Sequence, residues 1–362
     1  MKIAFLAPAN NYHTIKWCKY FKEQGYSVHV ISFVPGKIDG VEVYNINAFA
    51  NPQDSDLKKI GYVFSFIKVR KLIEKIAPDF VSVHYASSYG FVAALSGIKR
   101  YTLSVWGSDV YDFPAKSIFH KLLVKYSLYK ATYILSTSKA MALETSKYTD
   151  KHIDITPFGV DMDLFNAKKR KRKNEKTFVV GVVKSLEPKY GIKTLLEAIS
   201  ILKNEMPSQE IELRIAGKGS KADEYKEYAK KLGIENITSW LGFISQEQAA
   251  CEYANMDCAI IPSESESFGV SAVEAQACSC PVIISEIPGL MEATNPGVTS
   301  LVVPRGDARG IAECVKRLMF DYDYRIELGK VGRKYVVKEY EYNRCFRTIE
   351  NLIKRCKFYR KG

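Results

Sequence analysis

Short apolar runs alternate with stretches of helical periodicity along almost the whole chain. Lys2–Pro8 (KIAFLAP) is apolar and stops at a proline, the pattern of a buried strand. Tyr12–Gln24 reads as a helix and Tyr26–Phe33 (YSVHVISF) as the next strand. Leu57–Ile76 is helical, with Pro78 as its stop signal. Strands at Asp79–His84, Tyr101–Val105 and Ala131–Thr137 alternate with helices at Gly90–Leu95 and Ser117–Lys130. Residues 159–177 (GVDMDLFNAKKRKRKNEKT) interrupt this rhythm with charge and little periodicity, and read as a linker. The alternation then restarts. Strands are expected at Phe178–Val183, Ile211–Ala216, Cys258–Pro262 and Val282–Ser285, with helices at Thr194–Asn204, Ala222–Leu232 and Ser271–Cys278. Helices at Ile311–Asp321, Arg325–Val337 and Tyr342–Arg355 close the chain. Strands alternating with helices predict parallel sheets covered on both faces. The fold class is therefore α/β, with two Rossmann-like, doubly wound domains facing a central cleft. In such sheets ligands sit beyond the carboxyl ends of the strands, so the loops after the strands carry the candidate chemistry.

A length of 362 residues accords with two domains. Apolar residues at 47% and charged residues at 26% exclude disordered, collagenous and disulfide-scaffold proteins. No apolar run reaches the ~18 residues that span a bilayer, and Met1–Ala7 is too short for a signal-peptide core. A cytoplasmic protein is expected. The eight cysteines are scattered without C-x-x-C, so free, mostly buried thiols follow; Cys278 and Cys280 are expected to face opposite ways in a strand. The net charge is +13, and residues 1–160 carry 20 basic against 12 acidic side chains. Lys168–Lys173 is six basic residues in a row, and Lys354, Arg355, Lys357, Arg360 and Lys361 crowd the tail. This charge is either solvated surface or a face for anionic lipid head groups. A nucleic-acid partner is not expected, because no recognition-helix, zinc-finger or RNP-like signature is present.

Three loops stand out. Ser263–Ala277 (SESESFGVSAVEAQA) holds Glu264 and Glu266 before a helix, Gly269 at its start and Glu274 one turn inside. Exposed amides at a helix N-terminus bind phosphate, and a carboxylate accepts two hydrogen bonds at once, as a vicinal diol requires. Glutamates at a helix start also simply offset the helix dipole. Lys184–Gly191 (KSLEPKYG) offers Lys184 and Lys189 to a diphosphate, where two ammonium groups stabilise a leaving anion. Ala216–Gly219 (AGKG) is a G-x-G turn at Gly217 and Gly219 that permits close ligand approach. The loop after the first strand lacks G-x-G-x-x-G, so a dinucleotide has no cradle there.

The stretch Glu266–Glu274, ESFGVSAVE, resembles the E-x7-E signature of the family 4 retaining glycosyltransferases of the GT-B fold, also called glycosyl transferases group 1. VVKSLEPKYGIKTLLEA resembles the family's donor-diphosphate loop, with Lys184 where many members have Arg; ITPFGVDMDLF, SVWGSDV, RIAGKG and LVVPRGD match further segments in order. The resemblance implies an N-terminal acceptor-side domain at 1–158, the linker 159–177, a nucleotide-sugar domain at 178–341, and a final helix, 342–362, packing back on the first domain. It implies that Glu274 holds the ribose, Glu266 the transferred sugar, and the backbone at Phe268, Gly269 and Val270 the sugar and phosphates. Lys184 and Lys189 would clamp the diphosphate; Gly217 and Phe243 complete the donor side. His84 would lie beside the reacting sugar, making Glu266, His84 and Lys189 the catalytic set, and Asp109 would serve as an acceptor-side acid. Where many members carry a Gly-Gly pair, this chain has PANNYHT, so Asn10, Asn11 or His13 must serve instead, with Asn11 and His13 expected on the acceptor side, and Trp106 replaces a frequent His.

What the resemblance implies for function is transfer of a hexose-type sugar, with retention, from a UDP-sugar or related donor to a glycan or lipid-linked glycan in cell-surface polysaccharide or glycoconjugate synthesis. An epimerase acting on the same kind of donor without an acceptor is the alternative. No cofactor is implied, and no metal: Asp161-Met162-Asp163 fits D-x-D but lies in the linker motif, and the two lysines already supply positive charge. Ala115–Lys130 interleaves Lys116, Lys121, Lys125 and Lys130 with Ile118, Phe119, Leu122, Leu123, Tyr126 and Tyr129. This is either a core-facing helix with a wet basic side or an interfacial one on the inner face of the plasma membrane.

Overall fold

The computed structural model describes residues 1–46, 64–172 and 176–358. The chain divides into two units: Met1–Phe158 with the segment from Cys345 onward, and Gly159–Arg344. Each unit is built on one wholly parallel sheet. Among the described residues no helix is long and apolar enough to cross a membrane.

In the first unit the strands are β1 (Lys2–Leu6), β2 (Ser27–Ser32), β3 (Glu42–Asn45), β4 (Phe80–His84), β5 (Thr102–Val105), β6 (Tyr133–Ser136) and β7 (Ile153–Ile155). They lie in the order β3-β2-β1-β4-β5-β6-β7. Phe5 pairs with Val30 on one side and Ser82 on the other, so β1 is central and bonded along both edges. Its helices are α1 (Tyr12–Glu23), α2 (Phe66–Ile76), α3 (Ser88–Leu95), α4 (Ile118–Lys130) and α5 (Lys139–Thr145). The expected helix Leu57–Ile76 is observed from Phe66; its residues 57–63 lie outside the described residues.

The second unit holds β8 (Phe178–Val183), α6 (Ile192–Glu205), β9 (Ile211–Ala216), α7 (Ala222–Lys231), β10 (Thr238–Gly242) and α8 (Gln246–Asn255). It continues with β11 (Cys258–Ile261), α9 (Val270–Ala277), β12 (Val282–Ser285), α10 (Pro288–Ala293) and β13 (Leu301–Val303). Helices α11 (Ala308–Phe320) and α12 (Tyr322–Tyr340) follow, and α13 (Tyr342–Phe358) ends the described chain. The strand order is β10-β9-β8-β11-β12-β13. One core forms under α6, α7 and α11 around Val180, Leu195, Leu213 and Val315, and a second under α8, α9 and α12 around Ala259, Val273, Tyr253 and Val336. FVVGVV is apolar without alternation because β8 is covered on both faces.

The stretch 159–172 is tied to the second unit rather than running free. Val160 donates to the Tyr340 carbonyl, and Phe165 is buried beside Tyr253. Part of the basic run is likewise committed: the Arg170 and Arg172 guanidiniums lie 3.3 and 2.5 Å from the carboxylate of buried Asp257. Asp161 accepts from the backbone amides of Asp163 and Leu164 and so caps a local turn. Cys278 and Cys280 are both buried, but neither is in a strand: Cys278 caps α9 and Cys280 precedes β12.

Candidate functional site

In each sheet the chain builds outward from one central strand and then returns to build the other way. That reversal lies between β1 and β4 in the first unit and between β8 and β11 in the second. At such a reversal the loops leaving the two strands part, and it is at these carboxyl ends that α/β sheets generally hold ligands. Most of the candidate residues fall on these four loops.

In the second unit, Lys184 ends the loop-side of β8 and Glu266 lies in the loop after β11. Their side chains form an ion pair, and both are nearly buried. The Lys184 ammonium also stands 4.6 Å from the centre of the Tyr190 ring, a cation–π contact the sequence reading did not anticipate. Lys189, in the 3-10 turn Pro188–Tyr190, lies 5.5 Å from the same ring. Its carbonyl accepts from the amide of Glu264 at 2.9 Å, which stitches the two loops together. Gly191 (φ 66°) is required at this seam, because a Cβ there would strike the Pro262 carbonyl.

Gly269, at φ 91°, starts α9, and a Cβ would come within 2.6 Å of Leu290. The Phe268 side chain turns into the core against Tyr340, leaving its backbone at the helix start. The Ser271 hydroxyl donates to the Val183 carbonyl at 3.1 Å and holds the α9 N-terminus, with Val270, at the end of β8. Glu274 is 8% exposed on α9. Phe243, just past β10, is 76% exposed.

The G-x-G turn has a partner other than a ligand. A Cβ on Gly217 would collide with the Lys184 carbonyl, and one on Gly219 with that of Leu186. The turn is thus glycine because it packs beneath the lysine loop. Ser220 then donates its amide and hydroxyl to Glu187, at 2.7 and 2.5 Å, which holds that carboxyl below its usual range.

In the first unit, Asn11 caps α1, its side-chain oxygen accepting from the His13 amide at 2.8 Å, and its amide reaches the Tyr85 hydroxyl at 3.5 Å. The His13 ring stacks on Phe158 at 3.8 Å. Burial, aided by the nearby Lys16 charge, holds its pKa at about 3. His84, at the end of β4, is packed among Phe5, Trp17 and Trp106, with ring centroids at 5.7, 4.8 and 4.3 Å. It is 0% exposed, neither ring nitrogen has a hydrogen-bond partner, and burial lowers its pKa to about 3. Both histidines are uncharged at neutral pH, and His84 is sealed behind two tryptophans rather than presented to solvent.

Asp109 also differs from its expected place. It is 1% exposed and spends both oxygens on backbone amides: Ala86 at 2.7 Å, Trp106 at 3.0 Å and Gly107 at 2.9 Å. Burial lifts its carboxyl above the usual range, and these N–H bonds oppose the lift. It fastens the loop after β5 to the loop after β4 and so positions Trp106. That residue, Trp17 and Phe5 form the wall around His84, and Tyr85 packs on Trp106 at 5.0 Å; only Trp106 was singled out by sequence, as a departure from a pattern.

Residues 2–138 match the model of the Glycosyl transferase 4-like family, and residues 165–335 match that of Glycosyl transferases group 1. A D-inositol 3-phosphate glycosyltransferase of Corynebacterium jeikeium is 30% identical over 200 residues, which are 51% of this chain and 48% of that protein. The chain spans about half the length of the D-inositol 3-phosphate glycosyltransferases it matches. Among solved structures, sucrose-phosphate synthase of Thermosynechococcus elongatus superposes with a TM-score of 0.84 at 19% identity, over 98% of both chains. Anabaena HepE in complex with UDP and glucose gives 0.80 at 17% identity, over 98% of this chain and 99% of that one.

Proposed function

Because the chain belongs to the group 1, family 4-like glycosyltransferases of the GT-B fold, we propose that it transfers a hexose-type sugar, with retention, from a nucleoside diphosphate sugar to a glycan or lipid-linked glycan. The observation that carries this reading is the second unit's reversal point. There Lys184 pairs with Glu266, the loop of Lys189 is bonded to that of Glu264, and Gly269 starts the helix that carries Glu274. Carboxylates suit vicinal hydroxyls of ribose and hexose, and ammonium groups with free helix amides suit a diphosphate. The UDP donor is inferred from HepE, whose structure holds UDP and glucose.

In this reading Glu274 takes the ribose and Glu266 the sugar hydroxyls. Lys184, Lys189 and the amides at Gly269 and Val270 take the diphosphate, with Gly217 shaping the floor and Phe243 beside the base. The bond from the anomeric carbon to the phosphate oxygen breaks with both electrons going to the diphosphate. The acceptor hydroxyl oxygen bonds the same carbon from the same face, and its proton passes to the departing phosphate. The lysines stabilise the anion that develops, which is the charge a divalent cation would otherwise supply. On the acceptor side Asn11 and His13 line the crevice of the first unit. His84 and Asp109 position its aromatic wall.

The test is transfer by the wild type against Glu266→Ala and Lys189→Ala, with the anomeric configuration of the product read by NMR. Each substitution is expected to lower transfer by at least ~100-fold, the scale of one lost transition-state contact. Transfer unchanged in both variants, or an inverted product, contradicts the reading. Isomerised donor sugar without acceptor would establish an epimerase instead.

A further inference from the structure

Helix α4 carries large apolar side chains on its outer face as well as on its inner one. Its inner side is narrow, with Val124, Ser127 and Leu128 buried. Its outer side carries Ile118, Leu122, Tyr126 and Tyr129 at spacings of four, four and three, with Phe119 beside them. A period of 3.6 residues aligns these five along one stripe. They are 72%, 56%, 37%, 70% and, for Phe119, 62% exposed. Large side chains scattered singly on a surface need no explanation, but five along one helix face do.

Along the sequence, the charge within and just beside the helix is of one sign. From Phe113 to Leu143 the sequence contains Lys116, Lys121, Lys125, Lys130 and Lys139 and no Asp or Glu. On the helix wheel Lys121 and Lys125 flank the stripe on one side and Lys130 on the other. The Lys130 ammonium stands 5.6 and 5.8 Å from the Tyr126 and Tyr129 rings, with its stem along the aromatic surface. The C-terminus of the helix is fixed by Lys151, whose ammonium donates to the carbonyls of Leu128, Tyr129 and Ala131 at 3.3, 2.5 and 2.6 Å.

We propose that this face of α4 docks the first unit onto an anionic lipid bilayer, its apolar stripe entering the head-group boundary and its lysines pairing with lipid phosphates. The occupant follows from charge complementarity. A second copy of the chain would set Lys121, Lys125 and Lys130 against the same three lysines, and an uncharged apolar partner would leave these charges without a counter-ion. A bilayer of acidic lipids satisfies both the stripe and its flanks. The helix belongs to the first unit and the donor loops to the second, so a failure of vesicle binding and a failure of sugar transfer are distinguishable.

Co-sedimentation with vesicles of phosphatidylglycerol and phosphatidylcholine, against phosphatidylcholine alone, tests it at low and high salt. Binding to the acidic vesicles that salt weakens is expected. The triple variant F119S/L122S/Y129S is expected to lose at least about tenfold in affinity. K121E/K125E is expected to lose about fivefold for each lysine removed. Phe119, Leu122 and Tyr129 are 62%, 56% and 70% exposed, so melting temperature and nucleotide affinity should hold, which separates docking from folding. An F119W variant gives a second readout, a blue shift of its emission on acidic vesicles. No preference for acidic lipid, or a triple variant that binds as wild type, overturns the proposal. A dimer dissolved by the triple variant, without vesicle binding, overturns it in favour of self-association.

Discussion

At the scale of single residues, charges and close approaches from different loops hold the candidate donor site together. Lys184 and Glu266 are each other's partner, so removing one leaves the other nearly buried and uncompensated. Lys184→Met is therefore expected to disturb Glu266 as well, and the double variant with Glu266→Gln should be less impaired than the sum of the two singles. A double-mutant cycle on nucleotide-sugar binding reads this directly; strict additivity would show the pair to be incidental. Gly217 makes a second case. Because its Cβ would strike the Lys184 carbonyl, Gly217→Ala should cost about 1–3 kcal/mol in chemical denaturation and weaken nucleotide binding together. Loss of neither would mean that the turn does not support the lysine loop.

His84 gives a prediction in pH. Its folded pKa is about 3, against an ordinary value near 6.5. As pH falls through 6.5 the unfolded chain takes up a proton that the folded chain refuses. The contribution of the neutral ring is thus complete above pH 6.5 and is lost progressively as pH falls toward 3, by up to about 1.4 kcal/mol per unit. Between pH 6.5 and 5, His84→Gln should show a stability loss smaller than wild type by about 2 kcal/mol, measured by urea titration. Identical pH dependence of the two proteins would contradict a neutral buried His84.

At the scale of elements, the central strands were legible and the edges were not. KIAFL and FVVGVV announce themselves because both faces are covered. The edge strands EVYN and TSWLG are half-exposed and mix polar with apolar positions, so no apolar run marks them; LVV is simply short. Helix α8 went unread although it opens with a capping box, Ser245 with Gln248. The donor loops were readable because their chemistry is contiguous in ESFGVSAVE and KSLEPKYG. The pairing of Lys184 with Glu266 was not, since side-chain direction is set by two separate loops. Asp109 shows the same limit: as a residue of a G-S-D segment it looked like an acid for a substrate, yet its neighbours are amides. Asp109→Ala should leave three buried N–H groups without an acceptor, at about 1–3 kcal/mol each, and unfold the first unit at lower denaturant. Unchanged stability would free the carboxylate for another role.

At the scale of the molecule, the second unit ends at Arg344 and the segment from Cys345 onward belongs to the first. Phe346, Ile349 and Ile353 are buried there, Phe346 against Trp17, while Tyr20 and Tyr26 donate to Glu350 at 3.2 and 2.8 Å. Burial of each apolar side chain is worth about 1.5–3 kcal/mol, so the first unit is expected to depend on a segment nearly 200 residues away in sequence. The unequal charge of the chain also finds a place, with one share on α4 and another, Arg170 and Arg172, consumed by Asp257.

The central claim is that the reversal point of the second sheet holds a nucleoside diphosphate. Isothermal titration of UDP, GDP and ADP into the wild type, Lys189→Ala and Glu274→Gln tests it most directly. One of the three nucleotides should bind the wild type and bind each variant at least about tenfold more weakly. If none binds, or if the affinity survives both substitutions, the site is not where these loops place it.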